Sequence, residues 1–566
     1  MTFYRFTILC TIISLLLIMK SYVNKCRVKT SSYDIIPYHA NTADWTFPVS
    51  YRTVIVLLLL LGAFLRLWRL EDYPAGFHVD EAGMAYDAFC LANYGTDRFL
   101  NFHPVYLINY GGGQSAGYAY LCALFFRLFG ISLTTMRLPA ALAGIGVIWI
   151  GSRLSRIMFG QKVSAVTTLL ITICPYFITA SRVALDCDLL LFCSMLALYL
   201  FIRAQETQKN RWYLVSGITF GLCLYTYSLS WIILPVFFVL LFPYLLISRH
   251  IRFRQVCLIA VPIFVMALPL FAFLAVNTFD LPAIVTPLFS IPKIPFYRAS
   301  ELKAVNFFNM VETILYIIST DKTNIFSYHS YYTLYMMSIP FLIWGVVLVH
   351  RHVSYSMEKG RNEYIDYIFL FFLAALFNAA IQAASNLYRS NCIYFCLALF
   401  TAVGLLSTCY YLKYPRFWFC LLIGLYLIQG ISFCRFYYSD QVEKENPIVW
   451  FTYDYLDDLY AYLHENEIAA PVYIDDYNLT TYCYAMLEYR VSPYDFCAAG
   501  NAPDTYDFSY ENLHFYLPED LSEPEEDAIY VVMDYNEEAI AALNQSSLSQ
   551  THYGYFTIYS SQSAGE

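Results

Sequence analysis

The chain has 566 residues, 59% of them hydrophobic, 19% aromatic and only 14% charged. Soluble proteins carry about 25% charged residues, so this composition excludes an ordinary water-soluble enzyme and points to a polytopic helical membrane protein. Residues 441–566 hold 24 of the 43 acids but two of the 34 bases, Lys444 and Arg490, a net −22 against +13 for the remainder; an exposed segment so acidic argues against nucleic acid as a partner.

The first apolar run, 4–19, is followed by Lys20, Lys25, Arg27 and Lys29. A secretory signal carries its positive charges ahead of the apolar stretch, so this run reads as an additional helix and 21–52 as a cytoplasmic loop. Further runs of about 17–22 residues, the length that crosses a bilayer, lie near 53–70, 137–157, 163–180, 186–203, 212–229, 231–248, 255–276, 333–349, 366–384, 391–411 and 416–434. They give an expected 11 or 12 transmembrane helices. Basic residues mark cytoplasmic loops, and the clusters around Arg52, Arg153–Arg156, Arg203–Arg211, Arg249–Arg254, Arg351–Arg361 and Lys413–Arg416 fall on alternate loops. One orientation satisfies them all only if 71–136 is a single extracytoplasmic loop. Its segments GMAYDAFCLANYG (83–95) and GQSAGYAYLCALFFRLFG (113–130) then read as helices lying in the interface without crossing. GGGQ (111–114) lacks the Lys-Ser/Thr ending of a phosphate loop and reads as a flexible joint.

Chemistry concentrates at the outer ends of the runs. PAGFHVDEAGMAYDA (74–88) sets Asp80 beside Glu81 about ten residues past the 53–70 run. The local reading is a helix cap, with Asp80 accepting backbone N–H bonds and Glu81 in the first turn; capping would also fix the carboxylate's position. ITASRVALDCDLL supplies Ser181, Arg182, Asp186 and Asp188, the two acids about 200° apart around a helix. SNLYRSN supplies Asn386, Tyr388, Arg389 and Asn391. Charged groups at a membrane edge are costly and usually line a polar cavity, so several carboxylates and arginines at one depth suggest a site for a phosphate-bearing lipid and a polar substrate. His78 and His103 flank the acid pair and the HPVY turn and read more simply as hydrogen-bonded loop histidines.

From 436 onward the pattern changes to a small α/β domain. NPIVWFTYDYLDDLYAYLHE reads as an amphipathic helix, PVYIDD, AIYVVMDY and YGYFTIYSS as strands, and NEEAIAALNQ as a helix. Cys483 and Cys497 could pair if the domain is extracytoplasmic. The 16 cysteines show no zinc-site spacing, and the N-x-Ser/Thr sites at Asn478 and Asn544 carry little weight.

Residues 53–411 resemble the C-type (GT-C) superfamily of membrane glycosyltransferases, and within it the protein O-mannosyltransferase and lipid A aminoarabinose transferase group. The resemblance rests on the Arg-Leu end of the 53–70 run, the Pro-Gly-x-x-x-Asp-Glu run, GTD, HPVY, LFGIS, RLPAALAG and SRVALDCD, with weaker matches at STDKTNIFSYHSYYTLYMMSIP and NLYRSNCIYF. It implies an all-α polytopic membrane bundle with interfacial helices in the first outer loop, to which the C-terminal α/β domain is added. The expected organisation is an N-terminal helix and loop (1–52), a transferase body (53–435) and an extracytoplasmic domain (436–566) in a multi-pass protein of the cell membrane.

The resemblance further implies transfer of a sugar from a polyprenyl-phosphate-linked donor, with Asp80 as the catalytic acid–base residue, Glu81 its usual neighbour, and Asp186 or Asp188 the second acid. Arg389, with Arg137 and Arg182, would bind the donor phosphate. His103, Tyr118, Tyr388 and Asn391 are candidate substrate contacts. The acceptor would be a glycan, a lipid or a protein. A Mg²⁺ or Mn²⁺ ion between Asp80 and Asp186 is chemically conceivable, although no obligatory metal is expected. Two other readings compete: a transporter or flippase of lipid-linked glycans, which usually shows internal repeats not seen here, and a non-enzymatic envelope protein, for which so many spans are excessive.

Overall fold

The computed structural model describes residues 2–27, 49–296, 307–317, 331–361, 363–381, 388–439, 454–466, 468–476, 481–554 and 556–561. The chain forms two compact units, each assembled from three stretches of sequence. One takes residues 1–73, 137–268 and 299–446, the other 74–136, 269–298 and 447–566.

The first unit is helical. Every expected apolar run is helix: Thr2–Arg27, Tyr51–Leu67, Leu133–Ile173, Asp186–Thr207, Asn210–Thr226, Ser230–Ile247, Phe253–Thr278, Ser338–Glu358, Tyr364–Ala380, Tyr394–Tyr410 and Pro415–Tyr437. The 41-residue Leu133–Ile173 element carries two of these runs and breaks between them at Gly160, whose φ of 82° lies in the left-handed region that glycine enters without steric cost. Among the described residues, seven helical segments are long and apolar enough to cross a membrane by length and composition, fewer than the 11 or 12 expected. The difference has three sources: Tyr51–Leu67, Asn210–Thr226 and Tyr364–Ala380 each have 17 residues, at the short end of what spans; Leu133–Ile173 carries two runs but counts once; and Ser338–Glu358, although 21 residues long, is not among the seven. Packing between Ser338–Glu358 and Tyr394–Tyr410 is backbone to backbone. A Cβ at Gly345 would run into the Phe400 carbonyl, and one at Gly404 into the Phe341 carbonyl, the close approach that small residues permit between membrane helices.

The second unit mixes helix and sheet. Its 74–136 stretch contains the helices Val79–Tyr94 and Ala116–Phe129, joined through a hairpin. Ala116–Phe129, at 14 residues, is too short to cross a bilayer, as an interfacial helix would be. The GGGQ segment is not a flexible joint. Gly112–Ser115 is a strand, paired antiparallel with Tyr106–Asn109 in the register Tyr106↔Ser115 to Asn109↔Gly112, so its backbone groups are committed to a ladder.

The C-terminal stretch forms a six-stranded sheet in the order Ser509–Tyr510, Leu513–His514, Val472–Ile474, Ile529–Met533, Phe556–Ser560, Ser549–Tyr553. Val472–Ile474 runs parallel to both neighbours, while the other pairings are antiparallel. The three expected strands and the helix Glu537–Leu543 are present, as is the described part of the amphipathic helix, Asp454–Glu465. Ala528, Tyr530, Val532, Ala539, Leu543 and Tyr559 make a buried core there. Two short helices, Tyr482–Glu488 and Pro493–Ala498, escape the periodicity argument because each makes fewer than two full turns.

Candidate functional site

The acid pair opens the Val79–Tyr94 helix, but the cap is not Asp80. His78 is the N-cap. Its Nδ1 accepts from the Asp80 backbone N–H at 3.1 Å, and Glu81 Oε2 accepts from the His78 backbone N–H at 3.0 Å, a reciprocal capping box in which histidine takes the place usually held by serine or threonine. Accepting at Nδ1 requires its lone pair, so the imidazole proton sits on Nε2. Glu81 is fully buried and is thereby a structural acceptor. The Asp80 side chain stays 46% exposed, with a carboxylate oxygen 3.9 Å from His78 Nδ1.

The rest of this helix is held in place. Of its 16 residues, 13 are buried. Asp87 and Arg98, both fully buried, form an ion pair with Nη2–Oδ2 2.7 Å and Nε–Oδ1 2.9 Å. The two Nη1 protons go to Tyr482 Oη (2.9 Å) and Cys483 Sγ (2.7 Å), and the second Nη2 proton is shared between Asn109 Oδ1 (3.1 Å) and the Gly83 carbonyl. A buried charge pair of this kind is tolerable because nearly every donor is satisfied. Tyr86 donates to the Val491 carbonyl at 3.2 Å, and Tyr484 donates to the Phe77 carbonyl. The tyrosine-rich C-terminal residues thus serve to position the acid-bearing helix. Cys483 and Cys497 are both free thiols, against the pairing allowed for above. Cys483 Sγ is taken by Arg98, while Cys497 donates to the Arg98 carbonyl at 3.5 Å. Arg98 itself was not singled out from sequence; the available signal was a lone cation in the apolar stretch after GTD.

Two candidate substrate contacts lie in the same unit. Tyr118 is buried and donates to the Met136 carbonyl at 3.0 Å, so its hydroxyl has a structural use. His103 is exposed, with φ 40°, and stacks on Phe102 at 4.1 Å.

In the helical unit, Arg182 and Arg137 are placed otherwise than as free phosphate ligands. Arg182, fully buried, donates to the carbonyls of Leu65 (3.0 Å), Trp68 (2.9 Å), Arg69 (2.7 Å) and Tyr73 (2.9 Å). Leu65 lies in the last turn of the Tyr51–Leu67 helix and Trp68 caps it, where a cation is favoured by the macrodipole, while Arg69 and Tyr73 belong to the segment that follows. Arg137 bonds the carbonyls of Leu70 and Glu71 at 3.3 and 3.2 Å. The second acidic segment and the SNLYRSN segment do come together. Asp186, buried, begins the Asp186–Thr207 helix, and the Asn391 amide in the Tyr388–Ile393 turn donates to the Cys187 carbonyl. Arg389, in that turn, is partly exposed, and the Asn378 amide donates to its carbonyl at 3.0 Å. The side chains of Asp188 and Tyr388, and all of Asn386 and Asn478, lie outside the described residues.

Arg66, a charge inside the 53–70 run, was given no site role from sequence. It is fully buried and bonds the carbonyls of Gly62, Ile171 and Phe177 at 3.2, 3.0 and 2.8 Å. With Ser181 and Asn391 it lines a cavity of about 20 Å³, room for one water. Among the described residues there is no cluster of three or more His, Cys, Asp or Glu suited to a metal.

Comparison with known proteins places this architecture. Residues 114–275 match the family model described as dolichyl-phosphate-mannose-protein mannosyltransferase. The crystal structure of ArnT from Cupriavidus metallidurans bound to undecaprenyl phosphate superposes with a TM-score of 0.51 at 14% identity, covering 91% of this chain and 98% of that one. Its apo state gives 0.53 at 13%, covering 90% and 97%. The chain therefore has a GT-C-type fold. Among curated proteins it is 24% identical over 207 residues to YycA of Bacillus subtilis (strain 168), which carries a provisional mannosyltransferase name. That match takes in 35% of this chain and spans 28% of the relative's length.

Proposed function

We propose that this chain is a multi-pass glycosyltransferase of the cell membrane. It moves a sugar from a polyprenyl-phosphate-linked donor to an acceptor hydroxyl on the extracytoplasmic face, where residues 436–566 also lie. One observation carries the assignment of the base. His78 and Glu81 take over the capping of the Val79–Tyr94 helix, which leaves the Asp80 carboxylate half exposed on an otherwise buried, immobilised element. A general base must be fixed and yet keep a lone pair open to the incoming hydroxyl.

In the proposed step, an Asp80 oxygen takes the acceptor hydroxyl's proton as that oxygen attacks the anomeric carbon. The bond from that carbon to the phosphate oxygen breaks, and polyprenyl phosphate departs with the electron pair. A single in-line displacement inverts the anomeric centre. Arg389 is the proposed cation for the departing phosphate. Arg137 and Arg182 support it indirectly by holding backbone carbonyls between residues 65 and 73, with Asp186 or Asp188 as the second acid and Tyr388, Asn391 and His103 on the substrate side. The family match and a fold shared with an enzyme crystallised on undecaprenyl phosphate support the donor class. The acceptor is a glycan, a lipid or a protein.

The test is transfer by the full chain in vesicles supplied with extracted lipid-linked sugars. Asp80→Asn should lower the rate by about 10²–10⁴-fold with insertion unchanged, and a wild-type rate would remove Asp80 from the mechanism. We propose that no divalent ion is obligatory, so the same assay should survive a chelator.

A further inference from the structure

The C-terminal part of the second unit holds a cavity of about 400 Å³ lined by Leu463, His464, Ile468, Ala469, Tyr489, Tyr510, Glu511 and Asn512. That volume falls within the range of small-molecule sites, about 300–1,000 Å³. Three elements build it: the end of the Asp454–Glu465 helix, the residue closing the Tyr482–Glu488 helix, and the turn between the strands Ser509–Tyr510 and Leu513–His514.

The walls are tied together before any ligand arrives. The Asn512 amide donates to the carbonyls of Ile468 and Ala470 at 2.8 and 2.7 Å, so the turn is bolted to the segment after the helix. The His464 and Tyr489 rings stack on each other at 4.4 Å with 21° between planes, which holds both in one orientation. Preformed walls cut the ordering cost of binding.

The turn itself is strained. Tyr510↔Leu513 and Ser509↔His514 close a two-residue hairpin whose first turn residue is Glu511, at φ 52°. Such turns favour Asn, Asp or Gly there, because a left-handed backbone is unfavourable for a longer side chain. Strain of this kind clusters at binding sites. Here it presents a carboxylate at the cavity wall beside two tyrosines.

The lining selects the ligand class. A polar wall does not suit a lipid chain, and the Glu511 carboxylate disfavours an anion. One histidine and one glutamate are too few to hold a metal, and no metal cluster occurs among the described residues. A sugar ring fits both halves of the lining. Its C–H face packs on aromatic rings, and its hydroxyl edge donates to a carboxylate and pairs with phenol and amide groups. We propose that this cavity is a carbohydrate-binding site taking one pyranose unit, built from His464, Tyr489, Tyr510 and Glu511. It stands independently of the transfer reaction proposed above.

The full chain in phospholipid nanodiscs, free of sugar-headed detergent, should show saturation-transfer NMR signals from at least one of a set of methyl pyranosides and disaccharides. The Asp80→Asn protein should bind equally, which separates this site from transfer. Tyr489→Ala should bind about tenfold more weakly. Glu511→Gly relieves the backbone strain and removes the carboxylate, so it should weaken binding while leaving the melting temperature unchanged or raised. Absence of any sugar signal, affinity indifferent to both substitutions, or binding of unglycosylated peptides alone would overturn the proposal.

Discussion

Asp97 is almost wholly buried, with Oδ1 accepting from the backbone N–H groups of Phe99 and Asn101 (3.0 and 2.9 Å) and Oδ2 from the Asn101 side-chain amide (2.9 Å). Burial, with the Asp87 carboxylate nearby, pushes its carboxyl up to about 7. In the unfolded chain the same group titrates near 3.9. Between those values the folded protein holds a proton that the unfolded chain has released. The stability contributed by Asp97 is therefore complete below about pH 4 and is lost as pH rises through about 7. Asp97→Asn should flatten the fall in melting temperature between pH 5 and 8; an unaltered slope would assign the pH dependence elsewhere. The neighbouring acids show why the roles of single residues resist sequence reading. Asp80 and Glu81 are adjacent and chemically alike, and a helix start was legible at that point. Which of them caps depended on His78 turning its ring inward, a matter of backbone geometry that composition does not encode.

Between elements, the Asp87–Arg98 pair ties the Val79–Tyr94 helix to Asn109 of the hairpin and to Tyr482 and Cys483 of a later helix. Removing one partner strands the other in an apolar interior. Arg98→Met should cost about 3–5 kcal/mol of stability, and the double replacement Asp87→Leu/Arg98→Met should recover much of it. Denaturation of all three proteins in the same detergent checks this, and additive losses would mean that the pair acts as two independent residues. The spans were legible because hydrophobic runs are local: twenty consecutive residues suffice to define each one. The Gly112–Ser115 strand and the Arg98 network were not. A four-residue strand that opens with two glycines has no alternation to read, and Arg98 finds its partners 11 and 384 residues away.

At the scale of the molecule, the second unit is assembled from 74–136, 269–298 and 447–566. A chain ended after residue 446 would lose Tyr482, Cys483, Tyr484 and Val491, which cover or bond the helix bearing Asp80. The truncated protein should still insert, since its apolar helices remain. Its 74–136 stretch should become sensitive to protease added from the side it faces, and full resistance would show that this stretch folds without the C-terminal residues.

The sequence by itself determined the membrane class, the helical runs, the acidic α/β tail and a resemblance to GT-C transferases that the fold bears out. Those properties rest on composition, short-range periodicity and locally ordered motifs. Tertiary structure alone decided that Glu81 and His78 form the cap, that Arg182 and Arg137 bond backbone carbonyls between residues 65 and 73, and that Cys483 bonds an arginine instead of another thiol. Each of those outcomes depends on which buried polar group lies nearest once the chain has closed, and burial obliges every such group to find a partner wherever the fold supplies one.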